Sequence, residues 1–184
     1  MRVALFGGSF NPPHVGHQMA GLYVLETEEV DELWFVPCFR HPFDKSLVEF
    51  EDRLAMCERM AAPLGLRARV SDCERQLGGE SVTLRTVKHL QQQHPSMELS
   101  LVIGADLEPE LDSWFGAEEL RRLVPLIVVG RAGFSDAGQV ALPAVSSSEV
   151  RERLAAGRPV SRLVPRSVLD YIQERKLYGL PETR

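Results

Sequence analysis

The chain holds only three cysteines, Cys38, Cys57 and Cys73. Their odd number and wide spacing match neither a disulfide framework nor a metal pattern, so idle thiols in a reducing compartment are expected. No apolar run approaches the length of a membrane span. Met1-Arg2 leads straight into a strand-like run with no signal-peptide pattern, so a cytoplasmic protein with no membrane partner is expected. Basic charge is not in excess: Lys and Arg total 21 against 26 Asp and Glu, a net charge of −5. That argues against a nucleic-acid binder, whose footprint is basic. It still allows a phosphorylated small substrate, which needs a positive field only at its own site. Repeats, low-complexity tracts and linkers are missing, as is any evident Ser-His-Asp or paired-carboxylate constellation.

What is there is an ordinary soluble composition, 44% hydrophobic and 26% charged over 184 residues. This length suits one domain with a sizeable core. Strand patterns over Arg2–Phe6, Glu32–Pro37, Ala68–Ser71, Leu99–Ile103 and Leu126–Val129, with a weaker one at Val140–Leu142, alternate with helix patterns. The latter cover Val15–Glu28, Glu49–Ala62, Thr83–Gln93, Ala117–Arg122, Ser147–Ala156 and Arg166–Lys176. Runs such as Leu126-Ile127-Val128-Val129 are apolar throughout, as when both faces of a sheet are covered. The alternation predicts an α/β fold, a single doubly wound and mainly parallel sheet with helices on both faces.

Residues 7–17, Gly-Gly-Ser-Phe-Asn-Pro-Pro-His-Val-Gly-His, join the first strand to the first helix. Such turns lie at the carboxyl ends of parallel strands, where ligands bind. A helix start adds unpaired N–H groups and a positive dipole end, which suit a phosphate. Gly7 and Gly8 would let the backbone approach a ligand. A zinc site at His14 and His17 lacks a credible third ligand. Far along the chain, Ser146-Ser147-Ser148-Glu149-Val150-Arg151 opens another helix. Ser146 and Glu149 fit a capping box; the hydroxyls, free N–H groups and Arg151 also suit a polyphosphate. Between them, Asp106 at a strand end fits either a ribose contact or a helix N-cap. Trp114 fits either ring stacking or core, and Thr83 reads as an N-cap.

The first segment resembles the H-x-G-H signature of the nucleotidylyltransferase superfamily, carried by His14, Gly16 and His17. Its fuller form, G-G-[ST]-F-[DN]-P-x-H-x-G-H, looks most like the bacterial nicotinate-nucleotide adenylyltransferases, with Asn11 where many members have Asp. Residues 145–151 are similar to that family's I-S-S-T-x-I-R motif. Gly104-Ala105-Asp106 followed by Trp114 resembles its G-[AS]-D and stacking Trp, with Phe115 where Tyr is frequent. Ser81-Val82-Thr83 aligns with S-Y-T, Lys45 with the Lys of P-P-H-K, and Arg131-Ala132-Gly133 with R-P-G. The carboxyl-terminal run, including Tyr171 and Tyr178, is similar to the family's last helix and tail.

The resemblance implies a Rossmann-like nucleotidylyltransferase fold over 1–184, with the ATP-phosphate helix and the last helix in 146–178. It implies adenylyl transfer from ATP to nicotinate mononucleotide. His14, His17, Lys45 and Arg151 would be catalytic. Gly7, Gly8, Ser9, Phe10, Gly16, Gly104, Asp106, Arg131, Ser146, Ser147, Ser148 and Arg151 would bind ATP. Asn11, Lys45, Thr83, Trp114 and Phe115 would bind the acceptor. Mg2+ would arrive with ATP, and no dedicated metal cage is expected. Another acceptor (nicotinamide mononucleotide, phosphopantetheine or another phosphorylated metabolite) and a non-catalytic nucleotide-binding module stay open. So does a homo-oligomer.

Overall fold

The computed structural model describes residues 1–40, 47–133 and 140–179. Five strands, β1 (Arg2–Gly8), β2 (Glu32–Pro37), β3 (Ala68–Val70), β4 (Glu98–Gly104) and β5 (Leu126–Val129), form one sheet in the order β3-β2-β1-β4-β5. Every pairing is parallel. The order reverses between β1 and β4, so the connections leaving their carboxyl ends diverge and open a crevice there.

The period of two along each strand sorts the core into two layers. Ala4, Leu33, Phe35, Val102 and Val129 face α1 (Val15–Thr27), α2 (Phe50–Ala61), α6 (Ser147–Ala155) and α7 (Arg166–Glu174). Val3, Leu5, Leu99, Leu101 and Ile103 face α4 (Thr83–Gln93) and α5 (Ala117–Leu123). On α1, Gly21 permits close packing: a Cβ there would stand 2.6 Å from the Phe35 ring. No helix of the described residues is long and apolar enough to cross a membrane.

Three local expectations change. The weak strand at Val140–Leu142 reduces to one parallel bridge between Arg131 and Leu142. A short helix, α3 (Cys73–Leu77), follows β3; five residues are too few to display a helical period. Thr83 is the first residue of α4 rather than its cap. Val82 takes the cap position in extended conformation.

Candidate active site

The crevice at the ends of β1, β4 and β5 is a cleft of about 1170 Å³. That lies just above the roughly 300–1,000 Å³ typical of a small-molecule pocket. One side is built from the first motif. Gly7, Gly8, Ser9, His14, Gly16 and His17 line it. A Cβ on Gly7 would meet nothing within 4 Å, so its backbone faces open space. One on Gly8 would press on the Phe10 ring at 3.2 Å.

Phe10 does not line the cleft. It is buried beneath the turn with φ 45°, in the left-handed region. A non-glycine residue there costs about 1–3 kcal/mol and persists only when its surroundings hold it. Edge contacts with Phe6, Phe35 and His17 do so. Asn11 also leaves the cleft wall. It is fully buried, and its Oδ1 accepts from the Val48 N–H (3.3 Å) and the Tyr178 hydroxyl (2.9 Å).

The two histidine rings stack, with centroids 3.7 Å apart. The His14 backbone N–H donates to His17 Nδ1 at 3.2 Å. A ring nitrogen that accepts carries no proton, so neutral His17 holds its proton on Nε2. Burial first, then the charges of His14 and Arg131, keep the His17 pKa well below its usual value. His14 is lowered to about 4, by burial first and Arg131 second. The His17 N–H donates to the His14 carbonyl (3.0 Å), and His14 Nδ1 is buried with no hydrogen-bond partner among the described residues. Gly16 accommodates that ring, since a Cβ would stand 3.0 Å from Nδ1.

The unfolded chain protonates His14 near 6.5, whereas the folded protein resists until about 4. The unfolded state therefore binds more protons in that window. Stability is fully present above the unfolded pKa and declines as pH falls towards the folded one, by about 3 kcal/mol from His14. Urea denaturation across this range should show a shallower decline for His14→Asn than for wild type. Parallel curves would exclude His14 as a source.

The second motif meets the first. Ser146 caps α6, its Oγ accepting from the Glu149 N–H at 3.1 Å. Ser147 Oγ donates to Pro12 O at 2.9 Å, and Arg151 Nη1 to Asn11 O at 2.7 Å. Segments 135 and 140 residues apart are thus stapled together. Ser146 and Ser147 line the cleft. Ser148 and Arg151 are not among the lining residues and are joined by a 3.3 Å bond from Arg151 Nη2 to Ser148 Oγ.

Gly104, Asp106, Arg131, Thr83, Trp114 and Phe115 also line the cleft. Asp106 is ion-paired with Arg131, whose Nη2 also donates to Val145 O at 2.8 Å. Neither the ribose nor the cap reading included this partner. Trp114 is partly buried against the second core layer, while Phe115 is 74% exposed at the rim. Lys45 lies outside the described residues. Among those described, no group of three or more His, Cys, Asp or Glu could hold a metal.

Sequence reasoning missed Arg53 and Glu74. Arg53 is 1% exposed and donates to the carbonyls of Val48, Ser9, Cys38 and Phe39 at 3.1, 3.0, 2.7 and 3.4 Å. A signal existed: Arg53 stands in the stripe of Phe50, Met56, Cys57 and Met60, where an apolar residue is due. Glu74, on the short α3, offered none.

Residues 5–153 match the family described as cytidylyltransferase-like. A probable nicotinate-nucleotide adenylyltransferase of Anaeromyxobacter dehalogenans is 46% identical over 180 residues, 96% of each chain. One of Myxococcus xanthus is 40% identical over 185 residues, covering 100% of this chain and 97% of its own. The solved Plasmodium falciparum nicotinic acid mononucleotide adenylyltransferase complexed with NaAD shares the fold with TM-score 0.83, at 22% identity and 99% coverage of both chains. The chain therefore belongs to the cytidylyltransferase-like family and, within it, to the nicotinate-nucleotide adenylyltransferases.

Proposed function

We propose that this protein transfers the adenylyl group of ATP to nicotinate mononucleotide, giving deamido-NAD and pyrophosphate, a step of NAD biosynthesis. The observation that carries the reading is the stapling of the α6 start to the histidine loop, which makes one phosphate end of two distant motifs. A phosphate oxygen of the mononucleotide attacks the α-phosphorus of ATP, and the bond to the pyrophosphate oxygen breaks. The attacking phosphate is already anionic, so no general base is needed. Catalysis then consists of positioning and of donors aimed at developing charge.

His17, with Nε2–H as its donor, and His14 beside it stabilise the transferring phosphoryl oxygens. The first-turn N–H groups of α6, at Ser147 and Ser148, receive the departing pyrophosphate. Arg151 supplies a positive field behind that helix start, and Lys45 adds a second cation. Gly7, Gly8, Ser9, Gly104, Asp106 and Arg131 shape the ATP side. Thr83, Trp114 and Phe115 form the acceptor side, where a flat ring can stack. Mg2+ enters with ATP as part of the substrate, held mainly by phosphates and water.

Pyrophosphate release from Mg-ATP, with nicotinate mononucleotide, nicotinamide mononucleotide and phosphopantetheine offered separately, tests the reading. Release that depends on nicotinate mononucleotide is the expected result. Release with phosphopantetheine alone, or binding of ATP without turnover, would overturn it.

A further inference from the structure

We infer that Glu74 is the positioning residue of the acceptor wall, joining the end of β2 to the turn that opens α4; this rests on the adenylyl-transfer reading above. Glu74 is 9% exposed yet borders the cleft. Its Oε2 accepts from the Phe39 N–H at 3.0 Å and from the Ser81 hydroxyl in a short contact. Its Oε1 accepts from the Thr86 hydroxyl at 2.8 Å. Ser81 continues the connection: its N–H donates to Arg40 O at 2.9 Å, and its Oγ accepts from the Arg40 N–H at 3.2 Å. The chain just past β2, 35 residues away, and the start of α4 therefore meet on one carboxylate.

The other side of the same backbone belongs to Arg53, which donates to Cys38 O and Phe39 O. Phe39 thus presents its N–H to a buried negative charge and its carbonyl to a buried positive one. Neither Glu74 nor Arg53 has a direct ion-pair partner among the described residues. The Phe39 N–H and the Ser81 and Thr86 hydroxyls compensate Glu74, and four backbone carbonyls compensate Arg53, so both buried charges are hydrogen-bonded. The end of β2 is consequently held from both sides.

The consequence for the acceptor follows from which donors remain. The hydroxyls of Ser81 and Thr86 are committed to Glu74. The wall therefore offers an acceptor the first-turn N–H of Thr83 at the start of α4, and Trp114 lines the same cleft. Thr83 stands two residues after Ser81 and three before Thr86, so the grip of Glu74 on both hydroxyls aims that N–H. Donors at a helix start favour an anionic ring substituent over a neutral amide. The direct partners of Glu74 itself, Phe39, Ser81 and Thr86, include none of the residues assigned to ATP.

Steady-state kinetics of Glu74→Ala and Glu74→Gln, with each substrate varied in turn, test this. The KM for nicotinate mononucleotide should rise roughly 10- to 100-fold in Glu74→Ala, while the KM for ATP moves less than about twofold. Glu74→Gln should fall between, because its amide oxygen still accepts while its NH2 meets a hydroxyl. Preference for nicotinate over nicotinamide mononucleotide should drop in parallel. Should Glu74→Ala fail to fold, Thr86→Val, which removes one donor and keeps the carboxylate, must show the same split at smaller size. Equal changes in both KM values, a change in ATP alone, or no change overturns the inference. A wild-type protein inactive with every pyridine mononucleotide overturns the function itself, which is a separate result.

Discussion

Replacing His17 by alanine is expected to leave the fold intact and to lower kcat by about 100- to 1,000-fold, the usual cost of one preorganised donor at a developing oxyanion. The geometry makes His17 a fixed donor. Its Nδ1 accepts the backbone N–H of His14, and its lowered pKa keeps it neutral at pH 7. The proton therefore stays on Nε2 without an ionisable partner to place it. Edge contacts with Phe6 and Phe10 fix the ring plane. Circular dichroism should match wild type, while turnover with Mg-ATP and nicotinate mononucleotide collapses. Urea denaturation should show a loss of only about 1–3 kcal/mol, from the unpaired His14 N–H and the lost ring contacts. A folded His17→Ala variant with turnover near wild type would mean that His17 only packs the turn.

Arg53→Met should be the most damaging single change to stability outside the site. The methionine fills much of the stem's volume, but the buried Cys38 carbonyl and the partly buried carbonyls of Ser9, Phe39 and Val48 lose their donor together. Unpaired buried acceptors cost about 1–3 kcal/mol each before relaxation. Losing the buried charge returns part of that, since guanidinium desolvation no longer opposes folding. A net loss of about 3 kcal/mol is expected, which lowers Tm by roughly 6–12 °C for a domain of this size. Arg53→Lys keeps the charge but not the fork, so it should recover only a minor part. Thermal melts of both variants measure this. A melting temperature unchanged in Arg53→Met would show that the four carbonyls find other donors.

Arg53 and His17 illustrate two kinds of legibility. The histidine loop was readable because its residue types and order are local: strand, glycines, histidines and helix follow one another in the chain. The same holds for the α6 start, where Ser146 caps the helix in the expected way. Asn11 and Phe10 lie in that same readable stretch, yet their side chains turn into the core. Their direction depends on what packs beneath the turn, namely Phe35, Val48 and Tyr178. Thr83 lost its capping role because Val82 already takes the extended conformation that ends the preceding turn.

By itself, then, the sequence determined the alternation of strands and helices, the parallel doubly wound sheet, and the two loop-to-helix motifs that carry the histidines and the serines. Those properties follow from hydrophobic period and from residue types close together along the chain. Only the tertiary structure decided that Asp106 pairs with Arg131, that Arg151 holds Asn11, and that Arg53 and Glu74 grip the end of β2. Each is a contact between residues distant in sequence. A buried charge takes whatever donors or acceptors the packed chain brings within reach, and no local pattern records which these will be.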